Sequence, residues 1–264
     1  MVAPHTPFDA IVLAAQRGGR LDPLAAGAGV THKCLVPIGG RPLLAHVLEA
    51  LAEAEGLNRL RISVEAGAEA RLQPVLAAAA QRIPVDFIPS HATITDSVYA
   101  ATEGLDGPFV VTTADNVLLT ADAIRRVAAR LHAGDDAVAA LSRKEDVLSA
   151  HPQGQRRFYN FTDGAFSNCN LYGLSKAGLT LAETYRSGGQ FAKNPMRIAQ
   201  AVGFLNLVRV RYGLISLPRA MIRLGRRFNV QASAVLLEDG AHAIDVDNAR
   251  TYAIAAELLE KRAA

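Results

Sequence analysis

The chain has 264 residues, half of them apolar and a fifth charged, with a net charge of +3, which allows a sizeable core in one large domain. So mild a basic balance favours anionic ligands slightly and is too weak to argue for nucleic acid, and no nucleic-acid partner is expected. Cys34 and Cys169 are far apart and show no metal-ligand spacing, so no disulfide framework is expected and a reducing cytoplasm fits. The opening MVAPHTPFDA lacks the pattern of a secretion signal, and no apolar run reaches the ~18–20 residues of a membrane span.

FDAIVLAA (8–15) is a short continuous apolar run, as expected of a strand buried on both faces. RPLLAHVLEALAEAEG (41–56) has helical apolar spacing and stops at Gly56. RLRISVEA (59–66) reads as a strand, AEARLQPVLAAAAQR (68–82) as a helix despite Pro74, and PVDFIP (84–89) as a strand. TDSVYAATEGL (95–105) reads as a helix capped by Thr95 or Asp96, and PFVVTTAD (108–115) as a strand. LTADAIRRVAARLHAG (119–134) is a helix capped by Thr120 and closed by Gly134, followed by the strand DAVAALS (136–142). This alternation predicts right-handed crossovers, a mostly parallel sheet, and ligands at the carboxyl ends of its strands.

The pattern then changes. Residues 143–164 are polar and turn-rich, AFSNCNLYGLS (165–175) reads as a strand, and KAGLTLAETYRSG (176–188) as a helix. Residues 194–228 are apolar and basic, helical in pieces. FNVQASAVLL (228–237) returns to strand, and AIDVDNARTYAIAAELLEKRAA (243–264) reads as a short strand, a turn and a helix. The whole reads as one domain over 1–264 with an elaboration at 143–228.

The loop after the first strand, LAAQRGGR (13–20), joins small residues to two arginines. Glycines let a ligand approach backbone N–H groups closely, and guanidinium forks suit phosphate. The loop is neither GxxxxGK[ST] nor GxGxxG, so alone it is equally a tight turn with solvated arginines. Asp115, at the carboxyl end of a buried strand, suits Mg²⁺, which takes one or two carboxylates together with phosphate oxygens; alternatively it caps the next turn. Asp245 and Asp247, at i and i+2, share a face, and Asp247 or Asn248 is also placed to cap the last helix. Asn168 and Asn170 likewise share a strand face, with Cys169 on the other side. His32, His46 and His91 show no ligand spacing.

The combination of LAAQRGGR with HKCLVPIGGRPLLAHVLEAL (32–51) resembles the MobA-like and sugar-phosphate nucleotidyltransferases, whose pattern is LAAGxGxR followed by KxLxPxxGxPLL. The resemblance implies a Rossmann-like three-layer α/β/α fold of the GT-A-like kind. It implies that Leu13, Ala14 and Ala15 line the nucleotide site, with Gln16, Arg17, Gly18, Gly19 and Arg20 around the triphosphate and Lys33 beside the reacting phosphate. Gln16 stands where the family has its first loop glycine, which leaves the loop's shape at the base or ribose open. The resemblance further places Asp115, with Asp245 or Asp247, on a metal, Ser97 toward the base, and Asn168 and Asn170 in the acceptor pocket.

The implied reaction is Mg²⁺-dependent transfer of NMP from an NTP to a small phosphorylated acceptor, releasing pyrophosphate. Two other readings stay open: a glycosyltransferase of related topology acting on an NDP-sugar, and a nucleotide-binding protein without turnover. For 194–228 three readings compete: a helical subdomain with a solvated basic face, an acceptor pocket, and a contact with a membrane surface. A homodimer surface would look similar to the last.

Overall fold

The computed structural model describes residues 7–16, 21–80, 83–185 and 214–263. Its main sheet has the strand order β10-β7-β9-β6-β1-β4-β5, with β8 paired to β9. These strands are β1 (Phe8–Leu13), β4 (Leu57–Val64), β5 (Val85–Pro89), β6 (Phe109–Thr113), β7 (Ala137–Arg143), β8 (Tyr159–Phe161), β9 (Gly164–Leu174) and β10 (Ala232–Leu236). β5, β4, β1 and β6 run parallel, as do β7 and β10; β9 is antiparallel to both of its central neighbours, β6 and β7. The mostly parallel, Rossmann-like architecture is therefore observed, interrupted by one inserted strand.

The helices are α1 (Pro23–Gly27), α2 (Leu43–Glu53), α3 (Glu69–Ala80), α4 (Ile94–Thr102), α5 (Ala121–His132), α6 (Lys144–Ala150), α7 (Leu217–Phe228) and α8 (Ala249–Ala263). β1 shows why both faces are covered. Ala10 and Val12 pack with residues of α2, α3, α5 and α8, while Ile11 packs with Val98 of α4 and Leu181. A strand with period-two side chains and apolar residues at every position can only be satisfied between two layers.

Several local expectations are corrected. The cap of α4 is Thr93, whose hydroxyl accepts from Asp96 N at 3.0 Å; Thr95 is buried and donates to the Ala182 carbonyl at 2.7 Å. Part of the polar stretch after β7 forms α6, opened by Glu145 and Asp146 in its first turn, where the helix dipole favours acids. Residues Gly178–Tyr185 form a 3-10 helix rather than an α-helix, and 244–247 are not part of the sheet. As expected, α3 runs through Pro74 without ending there. Of the basic segment, 194–213 lies outside the described residues, and α7 forms its helical remainder.

β2 (Pro37–Ile38) and β3 (Arg41–Pro42) form a small hairpin over Gly39 and Gly40, both at positive φ (55° and 78°). A two-residue turn of this hand needs that backbone region twice, which only glycine supplies without strain. The hairpin holds α2 against the turn that carries Lys33, Leu43 N donating to the Val36 carbonyl at 2.9 Å. No helix among the described residues is long and apolar enough to cross a membrane.

Candidate active site

The chain reverses its winding direction between β1 and β6: from β1 it goes outward to β4 and β5, then returns to place β6 on the other side of β1. Crevices at such reversals are where parallel sheets bind ligands. The loop that leaves β6 is tied to the end of β1 by Ala114 N donating to the Leu13 carbonyl at 3.0 Å, and the loop that leaves β1 is tied to β4 by Ala14 N donating to the Ser63 carbonyl at 2.9 Å. Leu13 is half-buried and Ala15 exposed, whereas the methyl of Ala14 lies in the core, so Ala14 offers the crevice only its backbone. Arg17, Gly18, Gly19 and Arg20 lie outside the described residues. The chain re-enters at Leu21 and Asp22, where Asp22 caps α1 by accepting from Leu24 N at 2.8 Å and Pro23 opens the helix.

Gln16 spans the root of this loop. Its backbone N–H donates to the Glu65 carboxylate, and its side-chain amide donates to the Thr31 carbonyl at 2.9 Å. Thr31 also contacts His32, whose ring lies 3.5 Å from Glu65. The residue that departs from the family pattern thus ties the loop to the turn bearing Lys33.

Asp115, Asp245 and Asp247 converge there, one oxygen from each lying within 4.8 Å of the others. Lys33 reaches into the group, 2.5 Å from Asp115 Oδ2 and 3.4 Å from Asp247 Oδ1. The spacing is held by backbone: Val246 N donates to the Asp115 carbonyl at 3.1 Å. Both members of the i, i+2 pair join the group, although the segment is not a strand. Its division of labour is also visible. Asn248 accepts from Thr251 N and Arg250 N and starts α8, which leaves the Asp247 carboxylate to the acidic group.

The electrostatics show an anionic cluster short of counter-charge. Burial, then the neighbouring Asp247 and Asp115, push the Asp245 carboxyl up to about 8. Burial would lower the Lys33 pKa, but Asp115, Asp247 and Asp245 outweigh it and hold the ammonium above its ordinary value. Asp115 Oδ1 is buried and has no hydrogen-bond partner. An all-oxygen donor set with a buried, unpartnered carboxylate oxygen fits a hard divalent cation.

Asn116 fixes the loop from behind. It is 1% exposed, and its amide donates to Thr112 Oγ1 at 3.2 Å and to the Cys169 carbonyl at 3.0 Å. Thr112 Oγ1 in turn donates to the Asn170 carbonyl at 2.9 Å. Sequence reasoning left Asn116 without a role, because its partner on β9 is more than fifty residues away. On β9, Asn168 and Asn170 share one face, with an amide hydrogen bond of 3.0 Å between them, and Asn168 also donates to Tyr172. Cys169 faces the core and bonds Ser142. Asn170 has a φ of 48°, and the β7–β9 pairing shifts register between Ala139 and Leu141, next to this turn in the strand. Ser97 accepts from His91 N at 2.9 Å and donates to the Thr93 carbonyl at 3.0 Å, so its hydroxyl is engaged in the turn that opens α4.

A Rossmann-like sheet with an acidic group and a lysine at its reversal point defines a nucleotide-handling α/β protein. Residues 10–193 match the MobA-like NTP transferase domain, and the chain belongs to that family. The bifunctional protein GlmU of Novosphingobium aromaticivorans is 30% identical over 135 residues, covering 51% of this chain and 28% of that protein. GlmU of Kineococcus radiotolerans is 32% identical over 158 residues, covering 58% and 30%. The chain therefore spans less than a third of the curated relatives it matches.

Among solved structures, a hypothetical transferase from Thermus thermophilus is similar at a TM-score of 0.76 and 28% identity, over 93% of this chain and 99% of that one. A 4-diphosphocytidyl-2C-methyl-D-erythritol synthase from Anaerococcus prevotii shares the fold, at a TM-score of 0.59 and 9% identity over 97% and 99%.

Proposed function

We propose that this protein is a Mg²⁺-dependent nucleotidyltransferase that moves NMP from an NTP to a small phosphorylated acceptor and releases pyrophosphate. The observation that carries the reading is the convergence of Asp115, Asp245, Asp247 and Lys33 at the reversal point of the sheet. Asp115, Asp245 and Asp247 would hold the cation. When bound, it supplies positive charge against the anionic phosphates and orients them. The chain's own part is to bring two anions together and neutralise them. Leu13, Ala15 and the backbone of Ala14 line the nucleotide, Gln16 to Arg20 surround the triphosphate, and Lys33 adds a point charge beside the reacting phosphorus. Asn168 and Asn170 present amides to the acceptor, and Ser97 acts through the α4 turn on the base side.

A phosphate monoester is ionised near neutral pH, so the attack needs positioning and charge stabilisation rather than a protein base. Cys34 and Cys169 are buried free thiols pushed up to about 12 by burial, so neither serves as a nucleophile. We read the chain as one transferase domain over 1–264, with 143–228 on the acceptor side.

The test is thermal stability with ATP, GTP, CTP or UTP, each with and without Mg²⁺, on the wild type and on Asp115→Ala. A nucleotide at about 100 times its dissociation constant adds roughly 2.7 kcal/mol, or about 5–10 °C for a chain of this size. A shift that appears with one nucleotide, needs Mg²⁺ and disappears in the variant supports the reading. No shift with any of the four would overturn it.

A further inference from the structure

The arginines of α7 are not used by the site just described. Arg219, Ile222, Arg223, Arg226 and Arg227 all lie on the solvent side of this helix, spaced three and four apart as one stripe. Leu217, Met221 and Leu224 turn the other way, onto the sheet and the 3-10 helix. Ile222 is 50% exposed at one edge of the arginine stripe, where it borders the groove between this helix and β10, and Leu214, just before the helix, is 63% exposed.

Helix electrostatics explain only part of this. Arg226 and Arg227 in the last turn complement the dipole, but Arg219 stands in the first turn, where a cation is disfavoured and no acid accompanies it. The charge is also segregated along the chain. Between Thr184 and Leu237 there are nine Lys and Arg and no Asp or Glu, while the remainder holds 19 basic and 25 acidic residues, a net of −6. The modest total of +3 therefore conceals two oppositely charged parts.

From this we infer that the α7 face docks the protein on an anionic lipid bilayer, with the arginines on the headgroups and Ile222 and Leu214 entering the interface. The choice of a bilayer over a soluble polyanion rests on the two exposed aliphatic side chains. Nucleic acid or heparin offers them no apolar partner, whereas the headgroup–acyl boundary does. A second copy is disfavoured as occupant, because a twofold contact through this face would set arginine stripe against arginine stripe.

The experiment is co-sedimentation of the full chain with phosphatidylcholine vesicles, with and without phosphatidylglycerol, alongside a heparin column. Binding is expected only to the vesicles containing phosphatidylglycerol, with release at high salt. Replacing three cations (R219Q, R226Q and R227Q together) should weaken it roughly a hundredfold, since each basic residue near such a surface is worth about fivefold. Ile222→Ser should weaken vesicle binding several-fold and leave heparin retention unchanged. Wild-type protein that ignores the anionic vesicles overturns the inference without recourse to any variant. So does equal retention on heparin and vesicles with no effect of Ile222→Ser, which would assign the face to a soluble polyanion. Nucleotide binding in solution is measured separately and bears on neither outcome.

Discussion

The acidic group at the sheet's reversal point and the cationic stripe on α7 are two concentrations of like charge built in opposite ways. In the first, three carboxylates from two distant segments are held together by backbone hydrogen bonds, with Lys33 as their counter-charge. Asp115 and Asp245 are partly shielded while Asp247 stays exposed, and burial together with the neighbouring carboxylates pushes the Asp245 carboxyl up to about 8. In the second, arginines on one helix stand in solvent, where screening makes their mutual repulsion small. The first is a strained arrangement waiting for a compensating charge. The second is nearly free of strain and becomes effective only against an extended anionic surface.

The comparison breaks most visibly at Asp115. Asp115→Ala should reduce turnover by at least 10²–10³-fold, the order found when one preorganised electrostatic group is removed from a transition state. Pyrophosphate release under saturating nucleotide measures it. Turnover within about tenfold of the wild type would show that the acidic group is not the reacting centre.

Asn116→Ala tests whether the acidic loop is held from behind. The change strips hydrogen bonds from Thr112 and from the Cys169 carbonyl in a site sealed from water. Each unsatisfied buried group costs about 1–3 kcal/mol, and a total near 2–3 kcal/mol lowers Tm by roughly 5–10 °C. An unchanged melting temperature would mean that the loop is set by its backbone alone.

Lys33→Met and Asp245→Asn sharpen the contrast because their effects on stability have opposite signs. Lys33→Met leaves the carboxylates without their ammonium and should cost about 1–2 kcal/mol in the metal-free protein, less than for a fully buried pair because both partners keep some solvent. Asp245→Asn replaces a carboxyl whose ionisation the folded site opposes with a neutral amide, and should raise Tm by a few degrees at neutral pH while abolishing the Mg²⁺-dependent nucleotide shift. Scanning both variants in chelator reads the two signs directly. Destabilisation by both would mean that Asp245 is a packing residue rather than part of a charge-crowded site.

How much of this the sequence reveals follows the range of the interactions involved. The alternation of strand and helix up to residue 142 is a local periodicity and is read directly; Asp115 and the aspartate pair stand out by their place in the chain, and Lys33 through the family resemblance. The insertion of β9 between β6 and β7 leaves no such mark, because an apolar strand looks alike in either direction and its pairing is decided by residues far along the chain. The same distance hides Asn116. The cap of α4 is misplaced by two or three residues because Thr93, Thr95 and Asp96 all have the right chemistry; they are separated by Asp96 N donating to Thr93 and by the burial of Thr95 against Ala182. Asp247 and Asn248 are equally ambiguous on paper. The capping amide of Asn248 resolves them and releases Asp247 to the site.

The smallest expected effect belongs to the other charge concentration. Arg219→Gln should change the stability of the free protein by less than about 0.5 kcal/mol, as exposed substitutions do. The direction should be slightly upward, because a cation in the first turn of α7 opposes the helix dipole by about 0.3 kcal/mol at low salt. The gain should vanish as salt is added, since the side chain is in solvent and its field is screened within about 10 Å at 0.1 M ionic strength. Denaturant unfolding at two salt concentrations measures both features. A loss of 2 kcal/mol or more, roughly the scale of a buried partner, would place Arg219 in the packing of the helix. Its presence at the wrong end of the dipole would then need no anionic surface to account for it.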